Sequence, residues 1–219
     1  MTQKLTETEA RIVGALVEKQ LTTPEYYPLT LNALVAACNQ KSNREPVVNY
    51  DDRTVETSLE NLRDRNLVYV FYGSTSRVPK YKHMLPSVYE LEPSEVAVMC
   101  VLMLRGAQTI GEIRGRTERL YDFRDLNDVQ ETLDALVKRD GPLIARLERA
   151  PGQKEARFAH LLCGEEHLAV MAEAAARPAA SGGHAGNERI EKLELDVEAL
   201  KTELAEFKAT FEEFRKQFD

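Results

Sequence analysis

The sequence TVETSLENLRDR at residues 54–65 aligns without a gap to DVQETLDALVKR at residues 128–139. Both stretches place Val, Leu and Leu at positions i, i+4 and i+7, which lie on one face of an α-helix. Most of the other positions are polar or charged in both copies. One helical template that occurs twice in a chain indicates an internal repeat, and this repeat governs the interpretation of the flanking sequence.

Two further helices are predicted before each copy of this template. Residues 5–13 (LTETEARIV) and 91–99 (LEPSEVAVM) each begin an amphipathic helix, and Pro93 is tolerated in a first helical turn. Shorter helices are predicted at residues 29–35 (LTLNALV) and 108–114 (QTIGEIR), each with a threonine as its N-cap. The order of the elements is therefore the same in both halves of the chain.

Strand-like runs follow each copy of the template. Residues 67–85 and 143–162 each contain two such runs, separated by Gly73 in the first half and by Gly152 in the second. Strands joined by a glycine-containing turn are typical of β-hairpins, which we expect to extend to the ends of both ranges. Three helices and a hairpin, present twice, predict tandem winged helix-turn-helix modules, an α+β fold that is mainly α.

The last part of the chain has a different pattern. An Ala-rich helix is expected to continue from Glu165 to Arg177, and residues 178–186 (PAASGGHAG) are typical of a flexible linker. Apolar residues then alternate spacings of three and four, the heptad pattern of a coiled coil. The predicted oligomerisation seam is Ile190, Leu193, Val197, Leu200, Leu204, Phe207 and Phe211.

The predicted domains are a first winged helix at 1–90, a second at 91–175, a linker at 176–187 and a coiled-coil helix at 188–219.

Charges beside this seam favour a homodimer with parallel helices. In a parallel pair Asp196 faces Lys201 of the second chain and Glu203 faces Lys208, whereas an antiparallel pair sets like charges together. Phenylalanine at successive core positions is bulky for a two-stranded coiled coil, so a trimer or a larger assembly is an alternative to the dimer. The alternative is a helix that folds back onto its own modules, which the linker permits.

The charge of the chain lies mainly in its tail. The net charge is −7, yet residues 1–90 carry 11 Lys+Arg and 11 Asp+Glu, while residues 165–219 carry 7 and 13. The acidity therefore does not argue against nucleic acid as a ligand of the modules. No segment approaches the roughly 20 apolar residues that span a bilayer. The N-terminus lacks an apolar signal-peptide core, so we expect a cytoplasmic protein without a membrane partner.

Sequence signatures of catalysis are absent from the chain. It has no phosphate-binding glycine loop, dinucleotide-binding turn, nucleophile elbow or HExxH helix, which predicts a non-enzymatic protein without a cofactor or an evident small-molecule substrate. Cys38 and Cys100 lie in apolar helical stretches and are expected to be buried. No CxxC or HxxxH pair indicates a metal site. His83 and His160 occupy matching strand positions, which predicts a shared structural role.

Basic residues surround the third helices rather than covering them. In helix-turn-helix proteins the third helix enters the major groove, but here both third helices are mixed and rather acidic, which is unfavourable next to phosphates. The basic wing and loops are the better candidates for gripping a nucleic-acid backbone. Alternatively, these charges are solvated or paired with nearby acids. The polar residues 39–47 between the second and third helices are a further candidate for a functional surface, and the alternative for them is a turn with a purely structural role. The candidate binding surface comprises Asn39, Gln40, Lys41, Asn43, Arg44, Arg53, Arg77, Lys80, Lys82, Arg114, Arg116 and Arg119.

Five strings of the sequence carry a resemblance to a known family: LTETEARIVGALVEK at 5–19, TPEYYPLTLNAL at 23–34, CNQKSNREPV at 38–47, RGAQTIGEIR at 105–114 and RTERL at 116–120. They resemble the YceH family of uncharacterised bacterial proteins, over roughly residues 4–164. The resemblance implies tandem winged helices and supplies no catalytic residues.

Two functions of different kinds are consistent with these patterns. The first is a DNA-associated, regulatory dimer that binds double-stranded DNA through its basic wing and loops. The second is a protein-interaction adaptor, a role that winged-helix pairs serve in the accessory subunits of chromosome-condensing complexes and that acidic third helices suit. An enzyme with an unrecognised site is a third alternative.

Overall fold

The computed structural model describes residues 4–72, 78–149 and 155–176. The chain up to Ala176 forms one compact unit, which is α+β and mainly helical, as the sequence predicts. The residues predicted to form the flexible linker from Arg177 onward and the coiled coil, with its predicted seam from Ile190 to Phe211, lie outside the described residues. Among the described helices, none is both long and apolar enough to cross a membrane.

The first half of the unit contains three helices and a three-stranded sheet. Strand β3 is the central strand and pairs antiparallel with both β1 and β2. Its residue Tyr81 lies opposite Leu29 on one side and Val70 on the other. The elements are α1 (Glu7–Thr22), a 3₁₀ turn (Pro24–Tyr26), β1 (Leu29–Thr30), α2 (Leu31–Cys38), α3 (Asp52–Asp64), β2 (Val68–Phe71) and β3 (Lys80–His83).

The second half repeats the order of three helices followed by a hairpin, with one additional helix before this series and another after it in the described residues. Gln108 forms an isolated antiparallel bridge with Phe158, at the position that β1 occupies beside β3 in the first half. The hairpin strands pair antiparallel, with Ile144 opposite His160. The elements are α4 (Leu85–Tyr89), α5 (Pro93–Arg105), α6 (Ile110–Thr117), α7 (Leu126–Lys138), β4 (Ile144–Arg146), β5 (Phe158–His160) and α8 (Glu165–Ala176).

Side-chain caps fix where the helices begin. The predicted N-caps Thr30 and Thr109 are confirmed, since each hydroxyl accepts a hydrogen bond from a backbone N–H in the first turn. Thr6 and Glu9 form a capping box at the start of α1. An N-cap side chain satisfies a backbone donor that has no partner within the helix, which is worth about 1 kcal/mol.

The hairpins end earlier than the sequence predicts. The second strands stop at His83 and His160 rather than at the expected Leu85 and Leu162. After His83 the chain turns into α4, where Pro86 occupies the first turn. Proline has no N–H for a sheet ladder, and its fixed φ favours a helical start, which accounts for the early stop.

The apolar template at the centre of the prediction is buried in both halves. Val55, Leu59 and Leu62 on α3 are buried, and so are the equivalent residues Val129, Leu133 and Leu136 on α7. Cys38 and Cys100 are buried and free, which confirms the expectation for these two residues. The stripe on each third helix therefore forms part of the core.

The two halves share a continuous core through α1 and α5. At Gly14 the two helices approach closely, because a Cβ atom there would lie 3.0 Å from the Leu104 side chain. Backbone hydrogen bonds also join the halves, from Glu45 N to Leu104 O at 2.9 Å and from Leu5 N to Leu162 O at 2.8 Å. The boundary between two domains at residue 90 stays a prediction.

Candidate nucleic-acid interface

The outward face of the β2–β3 hairpin carries alternating aromatic and lysine side chains. Successive residues of a strand point to opposite faces, so Tyr69 and Phe71 share one face with their cross-strand partners. Tyr69 lies opposite Lys82, and Phe71 lies opposite Lys80. The Tyr69 and Phe71 residues are 60% and 45% exposed. We call these four residues the outer ladder.

The opposite face of the hairpin packs against the helices. Val68 and His83 are buried there, and the backbone N–H of His83 donates to the Tyr27 hydroxyl at 2.7 Å. Burial, with a smaller effect of Lys82, lowers the pKa of His83 to about 4. His83 is therefore uncharged at neutral pH and serves the packing of the sheet, as its repeat position predicts.

Helix α3 presents an acidic surface. Its exposed face carries four carboxylates against two guanidinium groups. This charge balance disfavours close approach to phosphates, so base reading by α3 is unfavourable. The exposed polar residues of this face are Asp52, Arg53, Glu56, Thr57, Glu60, Asn61, Arg63 and Asp64.

Two polar residues after α2 hold the loop that leads to α3. The Asn39 amide donates from Nδ2 to Tyr50 O at 2.8 Å, and its Oδ1 accepts from Tyr50 N at 2.8 Å. The Gln40 side chain accepts a hydrogen bond from Arg44 at 2.9 Å. Both side chains thus shape the loop. Lys41 and Arg53 are exposed and are available to a ligand.

Arg44, which the sequence suggested as a binding residue, is buried. Its guanidinium donates to Glu18 from Nη1 at 3.0 Å and from Nη2 at 2.6 Å, and to Ala37 O from Nε at 3.1 Å. Burial alone would raise the pKa of Glu18, but the hydrogen bonds and charge of Arg44 lower it overall. Arg44 is a structural residue in this arrangement. The neighbouring Asn43 accepts a hydrogen bond from Arg105 of α5.

The remaining predicted basic residues differ in their exposure. On the hairpin Lys82 is exposed and Lys80 is half-buried, while Arg77 lies outside the described residues. In the second half Arg114 and Arg119 are exposed, whereas Arg116 is half-buried at 4.0 Å from the Glu112 carboxylate. Of the predicted basic residues, the exposed ones are therefore Lys41, Arg53 and Lys82 in the first half and Arg114 and Arg119 in the second, among the described residues.

A family model described as "Protein of unknown function, DUF480" matches residues 5–153. The chain belongs to this family. It is 52% identical over 198 residues to a UPF0502 protein of Opitutus terrae, covering 90% of the chain and 83% of the relative. It is 48% identical over 219 residues to a UPF0502 protein of Solibacter usitatus, covering 100% of both. Identity to the UPF0502 protein YceH of Escherichia fergusonii is 45% over 214 residues, covering 95% of the chain and 94% of the relative, which confirms the resemblance seen in the sequence.

Two features of this DUF480 chain were missed in the sequence analysis. The aromatic members of the outer ladder, Tyr69 and Phe71, show only a weak sequence signal, the alternation in LVYVFY at residues 67–72. The second feature is a cluster of His160, Cys163 and His167 after the second hairpin. The short spacing of these three residues is visible in the sequence, but it matches neither the CxxC nor the HxxxH pattern of metal-binding pairs.

Proposed function

We propose that this chain is a non-enzymatic tandem winged-helix protein that binds the phosphate backbone of duplex DNA, with the outer ladder as its main contact. The repeated order of helices and strands supports the winged-helix interpretation. In both halves a short segment before the second helix pairs with the last hairpin strand, through Leu29 with Tyr81 and through Gln108 with Phe158. On this interpretation the β2–β3 hairpin is the wing of the first module.

The outer ladder is the observation that carries the proposal. Lysine ammonium groups form salt-dependent contacts with phosphates, and polar side chains such as tyrosine also contact phosphates and sugars. The ladder offers both kinds of group on one accessible face, and Tyr72 beside it is also exposed. Lys41 and Arg53 add exposed positive charge to the same half of the unit.

The acidic surface of α3 determines the mode of binding. Direct readout requires Arg, Lys, Asn or Gln side chains at base edges in the major groove. On α3 these residue types are interspersed with Asp52, Glu56, Glu60 and Asp64. The proposed interaction is therefore led by the wing and directed at the backbone, with little sequence specificity.

Dimerisation through the tail would strengthen a weak interaction of this kind. The heptad pattern of residues 188–219 is the basis for proposing a parallel coiled coil between two chains. Two linked weak sites bind one duplex with greater avidity than a single site. The proposed functional form is a homodimer that presents two wings.

A matched pair of lysine variants tests the proposed contact. We expect the full chain to bind a random-sequence duplex at low salt and to lose affinity as salt rises. Lys82→Gln should weaken the binding measured by fluorescence anisotropy. Lys138→Gln removes the same charge from a lysine that is 73% exposed on α7 and pairs with Asp134, and it should leave the binding unchanged. Equal affinities of the two variants would contradict the role of the ladder.

A protein-interaction adaptor is the second candidate function. The acidic face of α3 favours it, because exposed carboxylates suit a basic partner surface. The exposed aromatic side chains of the wing also suit protein contacts, in which tyrosine and phenylalanine are enriched. Absence of duplex binding at low salt by a folded chain would favour this function over DNA binding.

A further inference from the structure

Three side chains with metal-binding chemistry meet between the second hairpin and α8. His160 is the last residue of β5, Cys163 lies in the loop that follows, and His167 lies on α8. Each offers one ligand atom, and these atoms all lie within 4.8 Å of one another. The three residues come from a segment of only eight residues, so their proximity is fixed by local structure.

The His160 ring has an unsatisfied polar atom. The residue is only 2% exposed, and its Nδ1 has no hydrogen-bond partner among the described residues. A buried polar atom without a partner destabilises the fold, because the hydrogen bonds that it made with water are lost and not replaced. Coordination of a metal ion would use such a nitrogen. The His160 and His167 rings also lie close, with centroids 5.8 Å apart.

A carboxylate from the other half of the unit orients His167. The Nδ1 atom of His167 lies 3.0 Å from Oε1 of Glu7 in the first turn of α1. Histidine ligands of metals commonly donate their second ring N–H to a carboxylate, which fixes the tautomer and the orientation of the ring. Glu7 thus engages one nitrogen of His167, and a metal ion would take the other nitrogen.

We propose that His160, Cys163 and His167 bind one zinc ion, with Glu7 as the residue that positions His167. Imidazole nitrogen and thiolate sulfur are the preferred zinc ligands, at about 2.0–2.3 Å from the ion. Ligand atoms in such a tetrahedral site lie about 3.3–3.8 Å apart, so the three atoms approach each other by roughly 1 Å on binding. The Cys163 thiol releases its proton when the Zn–S bond forms. The fourth position is left for water or another ligand.

The proposed site would join the two halves of the compact unit. Leu5 N donates to Leu162 O at 2.8 Å beside it, and Gly164 lies against the Lys4 side chain, where a Cβ would be 2.6 Å from the lysine. A zinc ion there would fix the start of α8 against the start of α1. Helix α8 is the last described element before the predicted linker, so the ion stabilises the segment from which the tail continues.

Metal content and cobalt absorption test the proposal directly. The tag-free full chain is stripped with a chelator, incubated with zinc chloride and gel-filtered, and its zinc is measured by mass spectrometry. We expect one zinc ion per chain, and a thiolate-to-cobalt absorption band when cobalt replaces zinc. Cys163→Ser and His167→Gln should lose both signals. Cys100→Ala and His184→Gln, which change a cysteine and a histidine outside the cluster, should keep them.

Two further measurements keep the test decisive if a ligand variant does not fold. Glu7→Gln should retain the zinc at saturation but weaken its affinity about 10–100-fold, as expected for a positioning residue. In the unmodified chain, zinc should slow alkylation of the Cys163 thiol at least tenfold. A chain that retains no zinc after gel filtration, a Cys163→Ser variant that keeps the cobalt band, or alkylation of Cys163 that zinc does not slow would overturn the proposal.

Discussion

Replacing Arg44 by methionine tests whether this residue belongs to the core or to a binding surface. The change keeps much of the side-chain volume but removes every donor that Arg44 directs at Glu18 and Ala37. The Arg44 side chain is 0% exposed and that of Glu18 is 14% exposed. Arg44→Met therefore leaves the largely buried Glu18 carboxylate with only the more exposed Lys19 ammonium, at 3.4 Å, as its ion-pair partner among the described residues.

The expected loss of stability follows from this burial. Removing one partner of a buried ion pair typically costs 3–5 kcal/mol. Because water retains some access to Glu18, we expect a value near the lower limit, about 3 kcal/mol. Glu18→Gln on its own leaves the Arg44 guanidinium, whose side chain is 0% exposed, without its anionic partner and should also destabilise the fold. The double variant should cost less than the sum of the two single changes, because neither charge of the pair is then left without the other.

Urea denaturation of the full chain, followed by circular dichroism, measures these free energies of unfolding. The four proteins of the double-mutant cycle are compared at one pH and one protein concentration, and DNA binding of the folded Arg44→Met variant is measured in parallel. If Arg44→Met lowers the free energy of unfolding by less than about 1 kcal/mol and also weakens DNA binding, a structural role for Arg44 is refuted and a role in binding is supported.

Three other predictions concern the core, the tail and pH. In thermal melts, Gly14→Val should destabilise the chain by about 1–3 kcal/mol, because the new side chain clashes with Leu104. The control Gly115→Val has open space around it and should change stability by less than about 0.5 kcal/mol. Deletion of residues 188–219 should yield monomers by light scattering, and an unchanged mass would exclude the coiled coil as the assembly element. Because the pKa of Glu18 is lowered in the folded chain, its carboxylate stabilises the fold at pH values above the ordinary carboxyl pKa of 4.5, and this contribution should disappear as pH falls through the folded-state pKa. Glu18→Gln should flatten that part of the pH–stability curve, and an unchanged curve would contradict this role of Glu18.

Local patterns predicted the elements of this fold well. The burial of Val55, Leu59 and Leu62 follows from helical spacing alone, and the caps Thr30 and Thr109 depend only on the next three residues. Such features are encoded within one or two helical turns, so a single sequence is enough to identify them. The early ends of the hairpins depend on competition between strand and helix, which local patterns do not resolve.

The candidate site was predicted less completely, because its geometry depends on distant partners. Arg44 reads as a surface cation until Glu18, 26 residues away, is seen beside it. The pairing of Tyr69 with Lys82 depends on the register of β2 against β3, which sequence alone does not fix. The position of Lys80 and Lys82 on the hairpin was predicted, because strand-like runs and the basic residues within them can be identified without knowledge of tertiary contacts.

The salt dependence of DNA binding tests the central claim most directly. The slope of log K against log salt concentration changes by about 0.9 for each phosphate contact. We therefore predict that Lys80→Gln combined with Lys82→Gln reduces the magnitude of the slope by about 1.8 for each wing that contacts the duplex, and so by about 3.6 for the proposed homodimer, while Lys138→Gln leaves it unchanged. Identical slopes for the wild-type chain and the double variant, or no binding of duplex DNA at low salt, would contradict a wing that grips the phosphate backbone.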